Sequence, residues 1–420
     1  MSRCILALHL VLGALLAPAD PAGAGTAARG VLVVRPHPSP ARPGAAEPNL
    51  AVGVDGTVWL SWLEPGARGG RALRAAKLAG AGWSRPITIA EGDSLVANWA
   101  DFPALLAISR ERLAASWMLQ VGGEVAAGDI RLAQTHDGGA TWSRAACPHR
   151  DASPAERGFV SLLEQGEGVR VFWLDAREMA EHSDGAAGHE RGAAMSLRTA
   201  VVDPDGGLSE EALLDARVCD CCQTAAVRTA RGALVAYRDR SPDEIRDISL
   251  LRLEGGRWTE PYALRFDGWK IPGCPVNGPS LDAFVDRVVA AWYTGAGDSG
   301  RVLAAFSEDG GATFGEPARV DEGAPLGRVE VALLEDGSAL VSWVEAPGKA
   351  ARIRARRMAG DGSLEPAQTI ARISATRASG FPRMARSRDR VVFAWTEVGK
   401  PSRVRTAVAG LGPGAGKFQR

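Results

Sequence analysis

RVVAAW, residues 287–292, and RVVFAW, residues 390–395, are two copies of one pattern: a short run of small and branched apolar residues that closes on a tryptophan. Five more segments fit it: TVWLSW to Trp62, RLAASW to Trp117, VRVFW to Trp173, ALVAY to Tyr237 and SALVSW to Trp343. The closing aromatics stand 55, 56, 64, 55, 51 and 52 residues apart. A period of this size marks one supersecondary unit repeated in a ring or array. Before each run lies another apolar segment, as in PNLAVG, FPALLAIS, CQTAAVR and FPRMARS, and after it a third, such as IRLAQT, ISLLRL or VLAAFS. A fourth usually opens with a pattern like GWSRPITI, ATWSRA or RWTEPYAL. Four short strands separated by Gly, Asp and Pro turns make an antiparallel meander, the blade of a β-propeller.

The expected fold class is therefore all-β, a propeller of four-stranded antiparallel blades. Seven aromatic strands point to seven blades, with six as the alternative if one repeat is degenerate. The last repeat lacks a fourth strand, since the chain ends in GPGAGKFQR, and GVLVVRPH at residues 30–37 is the candidate to close the ring. Arg3, the apolar stretch Cys4 to Leu16 and the small residues Ala22-Gly23-Ala24 read as a signal peptide over residues 1–24, cleaved near Ala24. Residues 25–48 read as a flexible lead-in that includes the ring-closing strand, and 49–420 as the propeller. No segment is long enough for a membrane span, so the expectation is a secreted or periplasmic protein. Lys plus Arg and Asp plus Glu both number 49. That balance offers no field for nucleic acid.

Two turns carry a sharper signature. Thr135-His-Asp-Gly-Gly-Ala-Thr-Trp142 and Ser307-Glu-Asp-Gly-Gly-Ala-Thr-Phe314 both fit S/T-x-D-x-G-x-T-W/F. They resemble the Asp-box, or BNR, repeat of the sialidase-like superfamily. The motif is a hairpin clip, in which Asp137 or Asp309 accepts turn N–H bonds and the glycines permit positive φ. The resemblance implies a glycosidase-type propeller, and for a sialidase an arginine clamp on the substrate carboxylate, a tyrosine nucleophile and an aspartate acid/base. Val34-Arg35-Pro36 departs from the Phe/Tyr-Arg-Ile-Pro motif that supplies the family's first arginine. Of the three tyrosines, Tyr237 and Tyr262 have core explanations, which leaves Tyr293 as the nucleophile candidate.

In such a blade the loop into the innermost strand and the loop between the second and third strands open at one end of the channel, and the Asp boxes lie at the other. Polar residues gather at the first end. Asp101, Asp175 and Asp239, with Tyr293, are the catalytic candidates. Arg177, Arg238, Arg240, Arg246, Asn277 and Arg328 are the substrate-binding candidates for a glycan or other small acidic ligand, with Glu244 and Asp247 beside them. Alternation along a strand puts Arg238 and Arg240 on one face and Asp239 on the other.

Cysteine is the most specific chemical feature. Cys4 lies in the leader, which leaves Cys147, Cys219, Cys221, Cys222 and Cys274. CDCC at 219–222 enters the fourth repeat and CPVNGP at 274–279 enters the fifth, so neighbouring blades bring up to four sulfurs together. These segments also resemble an uncharacterised subset of bacterial exported sialidase-like proteins. Two readings stand: disulfides that fix the loops, as an oxidising compartment favours, or a Cu or Zn site of thiolates with His182 or His189. Three functions follow, namely glycan binding or hydrolysis at the mouth, a non-enzymatic metal-binding or redox propeller, and a scaffold for another exported protein.

Overall fold

The computed structural model describes residues 32–80, 82–121, 128–180, 194–348 and 350–411. Their strands form seven separate antiparallel sheets, each a meander in chain order. The innermost strands are Ala46–Val52, Ala104–Ala107, Arg157–Gln165, Ala225–Thr229, Ser280–Phe284, Pro325–Leu333 and Arg383–Ser387. Each packs on the innermost strands of the blades before and after it, and the first packs on the last. The ring closes at seven, and the six-bladed alternative is set aside. The seventh blade takes its fourth strand from the start of the chain: Val33–His37 pairs with Arg403–Gly410, from Val33 opposite Gly410 to His37 opposite Thr406. Residues 38–45 are tied down between these elements, with Arg42 Nε donating to Glu64 at 3.0 Å and Gly44 N to Ser402 O at 2.8 Å. The second blade has three strands, and a single bridge, Leu132 to Ala146, stands in the fourth place.

Second strands are covered on both faces by neighbouring blades, which explains why they are mostly apolar. Gly168–Asp175 and Ala339–Glu345 are buried at every position. The closing aromatics Trp62, Trp173, Tyr237, Trp292 and Trp343 are no more than 1 % exposed. A buried indole N–H needs an acceptor, and in three blades the carboxylate two residues on, on the same face of the strand, supplies it. Trp62 Nε1 donates to Glu64 at 2.8 Å, Trp173 to Asp175 at 2.8 Å and Trp343 to Glu345 at 3.3 Å. Trp292 uses Asp267 at 2.7 Å and Tyr237 uses Asp215 at 2.5 Å.

Both Asp boxes close as hairpin clips. Asp137 accepts from Thr141 N at 2.9 Å and Oγ1 at 2.6 Å, and Asp309 accepts from Thr313 N at 2.9 Å and Oγ1 at 2.7 Å. Gly138, Gly139, Gly310 and Gly311 take φ between 71° and 89°, the region where a Cβ is strained. Among the described residues no helix is long and apolar enough to cross a membrane.

Candidate functional site

The innermost strands line a channel of about 350 Å³. At or just before the start of each innermost strand, 14 or 15 residues ahead of the closing aromatic, stand Glu47, Phe102, Phe159, Gln223, Gly278, Arg328 and Phe381, a ring at the mouth. Three of them, Glu47, Phe159 and Arg328, have φ of 55°, 55° and 53° at bulges where pairing with the second strand slips. A non-glycine residue held there costs on the order of 1–3 kcal/mol, strain of the kind that collects at functional sites.

The residue just before this ring ties one blade to the next. Asp101 Oδ1 accepts from Phe159 N at 2.8 Å, and Asn277 Oδ1 accepts from Arg328 N at 2.7 Å. Cys222, at the same position of the fourth blade, accepts through Sγ from Asn277 N at 3.3 Å. Burial, opposed by the Phe159 N–H, pushes Asp101 up to about 7. Glu47 and Glu330, which the sequence reading missed, are lifted by burial to about 8 and about 7. For Glu47 the comparison of repeats was the signal that could have found it, because it stands at the ring position; Glu330 lies two residues past Arg328.

The arginine candidates are committed to the protein itself. Arg238, 2 % exposed, donates to Asn277 O at 2.8 Å, Tyr293 O at 2.7 Å and Arg246 O, and its guanidinium lies 4.9 Å from the Trp269 ring centre. Arg328 donates to Ser379 Oγ at 2.7 Å and Gly380 O at 2.8 Å and stacks 5.5 Å over Trp99; burial pulls it down to about 10. Arg240 pairs with Asp220 at 3.1 Å and with Glu244 at 2.9 Å. Arg177 pairs with Asp175 at 2.6 Å. Asp175 is fully buried and also holds Arg157 and the Trp173 indole; burial raises it, but Arg177, Trp173 and Arg157 outweigh that and hold it at about 2. In the repeat it is the counterpart of Glu64 and Glu345. Asp239 accepts from Ser249 Oγ at 3.1 Å, and Asp247 from the N–H groups of Gly268 and Trp269 at 2.9 and 3.0 Å. Tyr293 packs edge-on against Trp269, with ring centres 5.4 Å apart, and does not line the channel.

The structure brings the sulfurs together. Cys219 Sγ lies 3.8 Å from Cys221 Sγ and 3.6 Å from Cys222 Sγ, and all three lie within 4.8 Å of one another. Cys274 joins through Cys221. These separations exceed the ~2.05 Å of a disulfide, and all five described cysteines are free. Cys219 and Cys222 are buried, Cys221 is half-buried and Cys274 is exposed. Arg246, 3 % exposed, donates to Cys219 Sγ at 3.0 Å and pairs with Glu244 at 2.6 Å. The Cys219 thiol is held far below its ordinary value by hydrogen bonds from Cys221 and Cys222, with Arg246 and Arg238 adding to this against burial. Hydrogen bonding to Cys219 pushes Cys221 up, and burial pushes Cys222 up. His182 and His189 lie outside the described residues.

No protein-family model and no curated protein matches the chain. Among solved structures it is similar to a protein of unknown function from Dyadobacter fermentans, at 16 % identity and a TM-score of 0.47, over 90 % of this chain and 99 % of that one. It is also similar to an α-L-arabinofuranosidase from Fusarium graminearum, at 13 % identity and a TM-score of 0.49, over 90 % and 97 %. A third is the NanB sialidase from Streptococcus pneumoniae, at 10 % identity and a TM-score of 0.42, over 89 % and 69 %. At these identities the function rests on this chain's own residues.

Proposed function

We propose that this propeller is an exported metal-handling protein whose mouth holds a soft ion, Cu(I) or Zn(II), on Cys219, Cys221, Cys222 and Cys274. The observation that carries the reading is the set of sulfur separations at Cys219. A tetrahedral thiolate site with bonds of about 2.3 Å has S···S edges of about 3.8 Å, against 3.8 and 3.6 Å here. Sulfur-only donors select soft ions. Arg246 and Arg238 supply positive charge to thiolates that would otherwise be buried at high cost. Buried Cys219 and Cys222 serve as anchors, and Cys221 and exposed Cys274 give an incoming ligand a place to exchange. A second reading, glycan recognition, is favoured by the aromatic residues of the mouth. There Trp99 stacks on Phe381, with ring centres 6.1 Å apart, next to the raised carboxylates of Glu47 and Asp101.

The test is metal content and thiol titration on the mature protein prepared without chelator or reductant. About one equivalent of copper or zinc, lost in Cys221→Ser, is expected. Turnover of a sialoside or arabinoside by metal-free protein, or two disulfides with no bound metal, would overturn the first reading.

A further inference from the structure

We propose a second, chemically distinct metal site at Asp129, Cys147 and His149, away from the sulfur cluster and independent of it. The local sequence is Cys147-Pro148-His149, which bends at Pro148. This segment runs beside the third strand of the second blade, Gly128–Thr135, where Leu132 and Ala146 exchange hydrogen bonds at 2.9 and 2.8 Å. That bridge is isolated, and past the bend His149 comes back beside Asp129 at the start of the strand.

Three donor atoms converge there. His149 Nε2 lies 2.9 Å from Asp129 Oδ1 and 3.1 Å from Cys147 Sγ, and the sulfur lies 3.5 Å from the same oxygen. The other ring nitrogen, Nδ1, is 2.9 Å from the Asp151 carbonyl, which can only accept, so Nδ1 carries a proton. In a neutral ring Nε2 would then present a lone pair to a carboxylate oxygen and a sulfur. A positive centre must lie among the three, either a proton or a metal ion.

The arrangement differs from a nucleophilic pair. A relay uses one imidazole nitrogen for the thiol and the other for the carboxylate; here thiol and carboxylate face the same nitrogen, and the backbone holds the other. An Nδ1–H donated to a carbonyl while Nε2 faces the donors is the orientation of a metal-ligating histidine. Arg131 takes Asp129 Oδ2 at 2.5 Å, and the Trp173 ring lies 6.3 Å from His149 on one side. Mixed N, O and S donors suit Zn(II) rather than a purely thiophilic ion. Bonds of about 2.0–2.3 Å give tetrahedral edges of roughly 3.3–3.6 Å, so the donors need to spread by at most about half an ångström. Zn²⁺ enters as the imidazolium proton of His149 and the thiol proton of Cys147 leave. Two protons depart for one dication, and the net charge of the cluster does not change.

Co(II), which reports sulfur ligation by charge-transfer absorption, is the probe. Titrating the full mature protein and its Cys147→Ser variant should show one fewer equivalent bound in the variant. In a background with Cys219, Cys221, Cys222 and Cys274 changed to Ser, one equivalent with a sulfur charge-transfer band should remain. Asp129→Asn should weaken it on the order of 10–100-fold, the loss that even outer partners of a metal site cost. Equal cobalt stoichiometry in the wild type and Cys147→Ser overturns the proposal, and this comparison stands even if the four-serine background does not fold.

Discussion

The Asp-box clips and the mouth of the channel are tied in different ways. At the Asp boxes each clip is local: Asp309 is bonded by Ser307 two residues before it and Thr313 four after. At the mouth the bonds run between blades. Asp101 reaches Phe159, 58 residues on, Asn277 reaches Arg328, 51 residues on, and Asn277 N reaches back 55 residues to Cys222. Local clips hold a hairpin by themselves, whereas cross-blade bonds exist only when the neighbouring blade is packed in place. The strained backbone of Glu47, Phe159 and Arg328 is therefore found where a packed neighbour can hold it.

Substitutions should separate the two. The largest effect is expected at Asp175→Asn, which leaves Arg157 and Arg177 without their buried counter-charge. Breaking such a pair costs about 3–5 kcal/mol, measured by denaturant unfolding; a loss no larger than at an Asp box would remove Asp175 from the account. A smaller effect is expected from pH. Glu47, Asp101 and Glu330 have raised pKa values, about 8, about 7 and about 7, so the folded state keeps protons that the unfolded state has lost. Their contribution is greatest below about pH 4, the unfolded value, and stability falls as pH rises towards 7–8. Asp101→Asn, which keeps an acceptor for Phe159, should flatten part of that slope, and an unchanged slope would remove Asp101 from the account. The smallest effect is expected at Asp309→Ala, a thermal midpoint lower by only a few degrees with unchanged metal content. If this variant lost metal, the clips and the mouth would not be independent.

Much of this was readable beforehand, but unevenly. Seven blades, the strand order within each and both Asp boxes follow from period and turn chemistry, because those are local. The gathering of sulfurs from CDCC and CPVNGP was readable too, since repeat coordinates place both segments at the same loop of adjacent blades. The role of Asp175 was not read: its place two residues after Trp173 was visible, but that the indole would be buried and in need of an acceptor depends on the neighbouring blade. The arginines show the same limit. A charged loop such as YRDRSPDEIRD displays its residues but not their partners, and Arg238 spends its donors on carbonyls 8, 39 and 55 residues away.

The sequence by itself determined the all-β repeat and the local clips, because strand alternation and Gly-Asp turns act over a few residues. Only the tertiary structure decided which polar groups are spent and which remain available. Asp129, Cys147 and His149 came together where a loop is tied to a strand by one bridge, and Cys219 gained Arg246 through packing of another loop. Whether a charge or a thiol is free depends on what is buried against it, which only the closed ring sets.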